Sequence, residues 1–541
     1  MKNQPVDVLI IGAGASGAAI AWSLVETRMH ILCLEQGDWI FDKDFPSRRD
    51  DYELARYGKF SCDPNVRGLR EDYPINADDS PIMPVNYNAV GGSTINYLGH
   101  WPRMKPSDFR TRSLDGVAED WPVDYATLEP FFEENDRIMG VSGLAGNPAY
   151  PAYTPPNPPI PIGKLGQTLA KGFNELGWHW WPSDVAILSR DNDGRSKCVN
   201  AGTCDLGCAA GAKASTDITY WPMLERAGVE LRTGARVREI IVGDDGFAKG
   251  VRYHDRDGNV HEQLAEMVVV ACNGVGTPRL LLNSVSKLFP DGLANSSGMV
   301  GKNLMFHPLS GVTGRFDEPM DGFKGPVACS ILSQEFYETD PNRDFVRGYG
   351  LHAGRSHPPA TYALGGYGVD DPIPWGAEHR KRMDDVFPYI AGLTIVTEDL
   401  PEEHNCVTLD PDLTDSDGIP APKITYKIGE NTLKMFAHGE ARAAEALLAA
   451  GAREIVADGG GRDGKVWRRA GWHQMGTARM GNDPATSVVN GWGRCHDVKN
   501  LFIVDASIFV TAGAVNPTST IQALTLYIGD SIKKNIATLF D

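Results

Sequence analysis

No stretch constrains the fold of this chain as tightly as "VDVLIIGAGASGAAIAWSLVETRMHILCLEQG" at residues 6–37. Residues 6–11 form a short apolar run rich in β-branched side chains, "AAIAWSLVET" that follows has helical spacing, and "HILCLEQG" reads as a second strand. Strand, turn, helix, strand is a βαβ unit, and such a unit opens a parallel sheet. The turn carries Gly12, Gly14 and Gly17 as G-x-G-x-x-G, with Ser16 inside it. The first glycine permits the tight turn, the second lets backbone approach a pyrophosphate, and the third allows close helix packing. Glu35 lies 18 positions after Gly17, at the end of the second strand, where a carboxylate can accept ribose hydroxyls. The pattern predicts a dinucleotide site and leaves FAD against NAD undecided.

The whole chain is too long for one ordinary core: 541 residues, 42% hydrophobic and 23% charged, predict a globular protein of two or more lobes. A net charge of −18 disfavours nucleic acid or an anionic membrane surface as partner, because both need a basic footprint. No basic n-region or apolar h-region precedes Val6, so a cytoplasmic location is the default expectation. Residues 147–162, "NPAYPAYTPPNPPIPI", are too proline-dense for helix or central strand and are expected to be an extended connection. From about 229 the chain alternates strands with "DDG" and "RDGN" turns and ends in the buried-strand run "MVVVACNG". Residues 310–430 mix strand-like and loop-like segments without a clear period.

Four separated stretches then carry a family resemblance. After the glycine turn come "AVGGSTINYLGHWPR" (89–103), "NGVGTPRLLLNS" (273–284) with "SSGMVGKNLMFHP" (296–308), and "NLFIVDASIFVTAGAVNPTSTIQALTLYIGDSI" (500–532). In this order they resemble the signatures of the glucose-methanol-choline (GMC) oxidoreductases. The resemblance implies an α/β fold: a Rossmann-like FAD-binding domain with a parallel sheet, plus an α+β substrate-binding domain built on an antiparallel sheet. It implies FAD-binding segments at 1–100, 200–308 and 466–541, with a substrate-binding cap from 101–199 and 309–465. The flavin contacts it implies are Gly12, Gly14, Ser16 and Glu35; Gly91, Gly92, Ser93 and Asn96; Val237 through its backbone; Asp505 and Ala506 beside the pyrophosphate; and Asn516, Pro517 and Thr518. Relatives with covalent flavin commonly have a histidine at or beside the place of Asn96. Here the nearest is His100, so noncovalent FAD is expected.

Taken alone, His473 in "GWHQMG" reads as a packed core histidine. The resemblance makes it the active-site histidine and places Asn516 at the second catalytic position. Oxidising an alcohol removes a hydroxyl proton and a hydride from one carbon, so a base must hold the proton. Histidine suits that task, and an asparagine amide can donate to the same oxygen without acting as a base. "AVNPTST" also reads as a plain helix start.

Nine cysteines include a cluster, Cys198, Cys204 and Cys208, spaced C-x5-C-x3-C. Ferredoxin-type short gaps are absent and no fourth zinc ligand lies nearby, so no metal is assigned; a structural thiol or disulfide feature near the flavin is expected. The segment resembles the large flavoprotein subunits of bacterial gluconate, sorbitol, fructose and glucose dehydrogenases. That implies a sugar or polyol substrate, a small partner subunit able to carry an export signal to the periplasm, and a cytochrome or other electron acceptor. An oxidase of the same fold acting on aromatic or aliphatic alcohols, and a noncatalytic flavin electron-transfer subunit, are the alternatives. The aromatics of "GWHWWP" (177–182) read mainly as core, with sugar stacking as the other option, and "VTEDLPEEHN" reads as a solvated acidic face.

Overall fold

The computed structural model describes residues 4–328, 330–355, 358–364, 375–458 and 469–539. Cys329, and residues 466–468 where the last FAD-binding segment is expected to begin, lie outside them.

The opening βαβ unit forms as its pattern requires. Strand β1 (Val6–Ile11) is buried at every position but Asp7, as a strand covered on both faces must be. Helix α1 (Ala15–Leu24) follows, then β2 (Ile31–Leu34), parallel to β1. β3 (Glu230–Arg232) extends the parallel sheet beyond β2. β4 (Arg236–Val242), β5 (Ala248–His254) and β6 (Val260–Val270) form an antiparallel meander whose long last strand returns to pair in parallel with β1. The strand Leu501–Ile503 also pairs in parallel with β6. This seven-stranded sheet thus gathers segments hundreds of residues apart, and helix Thr518–Asn535 lies against α1, with Gly529 fitting over Ser23.

The second sheet is antiparallel. Its main strands are β7 (Leu309–Arg315), β8 (Ile331–Ser333), β9 (Tyr349–Ala353), β10 (Ile390–Thr397) and β11 (Glu454–Asp458), with Trp181–Pro182 at one edge. Side chains alternate with period two. Val312, Leu351, Leu393 and Ile395 pack with helices Gly163–Leu176 and Glu430–Ala449, while Leu309, Gly311, Thr313, His352, Gly392, Thr394 and Val396 line a cavity. Val312 and Leu393 touch both regions. A parallel-sheet α/β unit joined to an antiparallel-sheet α+β unit is the architecture expected. The glycines and threonines on the cavity face hide this sheet from hydrophobic periodicity.

One smaller expectation needs correction. The "VTEDLPEEHN" stretch is not wholly solvated: Glu398 and Asp399 are buried, the first paired with Arg347 and the second accepting from the Tyr426 hydroxyl at 2.7 Å. Their pairing partners lie far away in sequence, so the local charge run gives no sign of them. The "GWHWWP" aromatics, read mainly as core, do pack against it and do not line the cavity: Trp178 and Trp180 lie against the second core, Trp178 edge-on to Phe336 at 4.9 Å, and the indole N–H groups of Trp180 and Trp181 donate to Asn174 and to the Leu144 carbonyl. The proline-dense stretch is irregular as expected, with Asn157 bridged to Ser142.

Candidate active site

A cavity of about 910 Å³ runs from the glycine turn, past residues 92–100, to His473 and the cavity face of the second sheet. At its dinucleotide end the backbone is packed as tightly as it can be. A Cβ on Gly17 would fall 1.8 Å from the Gly12 carbonyl oxygen. One on Gly92, whose φ is +54°, would fall 2.9 Å from the Gly14 Cα, so the two glycine turns press together with no room for a side chain between them. The Gly91 N–H donates to the Ala13 carbonyl and fastens them.

Glu35 is buried and lines the cavity, accepting from the Ala13 and Gly37 amides at 2.8 Å each. Burial raises its pKa, against which the backbone donors work. Asp505 accepts from Cys272 N (2.9 Å), the Thr277 hydroxyl (2.5 Å) and Ser507 N (2.8 Å), tying the end of the parallel sheet to the segment that leads to Asn516. Ser16, Val237, Ala506 and Thr518 line the cavity; Pro517 precedes the helix as its cap. Ser93 Oγ accepts from Tyr87 N, and the Asn96 amide donates to the Phe60 carbonyl while its Oδ1 stays buried without a hydrogen-bond partner among the described residues.

Lys213, which no local motif singles out, holds this turn from behind. Its buried ammonium donates to the carbonyls of Thr94 (3.1 Å), Ile95 (2.6 Å) and Tyr97 (2.8 Å). The cysteine cluster lies beside it: Cys198, Cys204 and Cys208 are free thiols packed with Val185, Ile187 and Ala212, and Cys208 Sγ accepts from Lys213 N. No disulfide joins them among the described residues. Burial pushes the Cys204 thiol up to about 12.

His473 sits between two partners. Its Nδ1 is 2.7 Å from His307 Nδ1, and its Nε2 is 3.5 Å from the Asn516 side-chain nitrogen. His307 Nε2 in turn lies 2.6 Å from the Gly513 carbonyl. A carbonyl only accepts, so His307 carries its proton on Nε2 and must accept at Nδ1. His473 then donates from Nδ1, which leaves its Nε2 as the lone-pair nitrogen beside Asn516. Desolvation holds His473 well below the ordinary histidine range, aided by the neighbouring His307, His100 and His352, and holds His307 at about 4. Both are neutral at pH 7. His307 lies inside the "MFHP" stretch, but its partner is 166 residues away, so local pattern could not reveal the pairing.

The loop bearing Gly513 and Asn516 is anchored across the two units. Buried Arg347 pairs with Asp108, Asp115 and Glu398. Asp108 also accepts from the Tyr337 hydroxyl (2.8 Å), and that hydroxyl accepts from Ala514 N (3.1 Å). On the other side, Asp399 accepts from Phe306 N at 3.0 Å and so fixes the backbone that presents His307.

Family models described as GMC oxidoreductase match residues 6–309 and 401–525. The chain belongs to the GMC oxidoreductase family. It is 44% identical over 541 residues to 2-methyl-1,2-propanediol dehydrogenase of Mycolicibacterium austroafricanum, covering 99% of this chain and 96% of that one. It is 29% identical to the fructose dehydrogenase large subunit of Gluconobacter japonicus, with 99% of each covered. Among solved structures, pyridoxine 4-oxidase from Mesorbium loti superposes with a TM-score of 0.65 at 18% identity, over 98% of this chain and 99% of that one, a likeness of fold. GMC oxidoreductases are FAD-binding flavoenzymes that oxidise a CH–OH group, and the site fits that cofactor. The glycine turns leave backbone free to meet a pyrophosphate, and Asn96 Oδ1 and Asn516 Oδ1 are buried polar atoms still lacking a partner among the described residues. No helix among the described residues is long and apolar enough to cross a membrane.

Proposed function

We propose that this protein is a dehydrogenase that oxidises a CH–OH group of a small polyol, sugar or sugar derivative, with His473 as base. The observation that carries the reading is the chain Gly513 carbonyl, His307, His473, which leaves His473 Nε2 as a proton acceptor within the cavity. The substrate hydroxyl donates to that nitrogen, and the Asn516 amide donates to the substrate oxygen, stabilising alkoxide character as the proton leaves. Once Nε2 holds the proton, the imidazolium keeps Nδ1–H directed at His307, a bond that strengthens with the charge. Bound FAD supplies the acceptor for the hydride from the same carbon. Gly12, Gly14, Ser16, Glu35, Val237, Asp505 and Ala506 would hold its dinucleotide part, and Gly92, Ser93, Asn96, Asn516 and Thr518 the remainder.

The FAD is proposed to be noncovalent, since asparagine stands at position 96 and His100 packs instead against the His352 ring, 5.6 Å between centroids. Acid precipitation should release all the flavin into the supernatant; yellow colour left in the pellet contradicts this. Electrons are proposed to pass to a carrier or quinone-like acceptor, by way of a small partner subunit and a cytochrome, a reading supported by one relative being a large subunit. Without such a partner the protein is placed in the cytoplasm; export with one would place it in the periplasm. Anaerobic mixing with polyols, sugars and simple alcohols, followed by air, tests the whole reading. Bleaching by a polyol or sugar that persists in air supports a dehydrogenase, whereas rapid return of colour with peroxide would make it an oxidase.

A further inference from the structure

The cavity face of the antiparallel sheet carries polar groups for which the oxidation step has no use. His352 on β9 and Thr394 on β10 are register partners, and Thr394 is also opposite Gly311 on β7. Directly opposite residues bring their Cβ atoms within about 5 Å, so the two side chains stand side by side on the cavity wall. His352 is only 4% exposed, and its Nε2 has no hydrogen-bond partner among the described residues. Burial keeps the ring neutral, able to donate from one nitrogen and accept at the other. Space for this ring is left by Gly350, where a Cβ would come within 3.1 Å of Nε2.

The surroundings of this pair are shaped for a small ligand. A Cβ on Gly311 or Gly392 would meet no atom closer than 3.4 Å, so the two glycines hold open volume where most strand residues would fill it. Interior strand glycines weaken a sheet and mark places where something approaches the backbone closely. Leu309 and Val396, cross-strand partners on the same face, supply an apolar surface beside the polar pair. A wall that combines an unsatisfied imidazole, a hydroxyl, two bare glycines and an aliphatic pair suits a short branched carbon skeleton bearing a hydroxyl.

We propose that His352 and Thr394 form a binding site for a second substrate hydroxyl, so that the enzyme selects diols and polyols over simple alcohols of the same skeleton. This rests on the alcohol-oxidising reading of His473 and deepens it. A mono-alcohol bound in the same place leaves the His352 nitrogen and the Thr394 hydroxyl facing a C–H bond, and a site built to hydrogen-bond a hydroxyl rejects the analogue that lacks it.

The test compares 2-methyl-1,2-propanediol with 2-methyl-1-propanol, which differ by one hydroxyl, in anaerobic flavin reduction by the holoenzyme. The wild type is expected to favour the diol by about tenfold or more in kcat/KM. Thr394→Val, nearly isosteric, is expected to cut the diol value by about tenfold while the mono-alcohol value changes by less than about threefold, and His352→Gln is expected to lower the diol-to-mono-alcohol ratio by about tenfold. A wild-type ratio near one, or variants that lower both substrates equally, overturns the second-hydroxyl site while leaving the base assignment standing. Flavin that neither of these alcohols bleaches in the wild type overturns this inference, and flavin that no polyol, sugar or simple alcohol bleaches refutes the alcohol-oxidising reading as well. Flavin absorbance and the melting temperature identify any variant that has lost its fold, and the other variant then decides.

Discussion

Replacing His307 by phenylalanine keeps a flat ring in its buried slot but removes both nitrogens. The bond from His473 Nδ1 at 2.7 Å goes, and so does the one to the Gly513 carbonyl at 2.6 Å, which Nε2 shares with the Ala512 carbonyl at 3.3 Å. While His473 is neutral the first is worth about 1 kcal/mol; once His473 holds the substrate proton it is charge-assisted and worth about 1.5–3 kcal/mol. Only the difference, about 0.5–2 kcal/mol, is taken from transition-state stabilisation. With no acceptor at Nδ1 the His473 proton also becomes free to sit on Nε2. An even split of tautomers would halve the competent fraction, adding about 0.4 kcal/mol. Together these give a limiting rate of flavin reduction lower by about 5- to 60-fold. Anaerobic stopped-flow is the assay. The limiting rate should fall while the half-saturating substrate concentration stays within about twofold and the flavin spectrum is unchanged, as befits a residue that positions the base. A limiting rate within about twofold of wild type at full flavin occupancy, or a loss confined to substrate binding, would refute the tautomer assignment.

Other consequences follow from the same geometry. Gly92→Ala places a Cβ 2.9 Å from the Gly14 Cα at a φ of +54°, so the purified protein should carry little flavin, read from its 450 nm to 280 nm absorbance; near-stoichiometric flavin would contradict the cradle. Lys213→Met orphans three carbonyls behind the same turn and should weaken FAD retention on dialysis, whereas unchanged retention would show that the turn holds itself. Arg347→Ala strands the buried carboxylates of Asp108 and Glu398 and should cost about 3–5 kcal/mol, seen as a lower denaturation midpoint; a loss under about 1 kcal/mol would contradict the anchoring role. The His473 pKa is depressed, so the base stays neutral as pH falls through 6.5 and protonates only below it. The acid limb of kcat/KM should therefore lie below pH 6.5, and a limb above that value would mean the histidine is not held in this desolvated setting.

What could be read from the sequence divides along the range of the interactions involved. Gly12, Gly14, Gly17 and Glu35 lie within one βαβ unit, and their roles follow from a turn whose parts are neighbours in the chain. His473 and Asn516 were reached only through the family resemblance, since neither declares itself by spacing. His307, Lys213 and Arg347 were missed because each acts through partners more than 50 residues away, 166 in the case of His307 and His473. The antiparallel sheet was unreadable for a different reason. Its cavity face replaces the alternating apolar pattern with Gly311, Thr313, His352, Gly392 and Thr394, so the positions that make the pocket are those that erase the strand signal.

The most direct measurement is anaerobic flavin reduction by a panel of polyols, sugars and simple alcohols in the wild type and in His473→Gln, both with full flavin occupancy. Wild-type flavin should bleach, and the variant, which keeps a hydrogen-bonding side chain but no base, should reduce at least about 100-fold more slowly. Equal bleaching rates in the two proteins would contradict the assignment of His473 as the base.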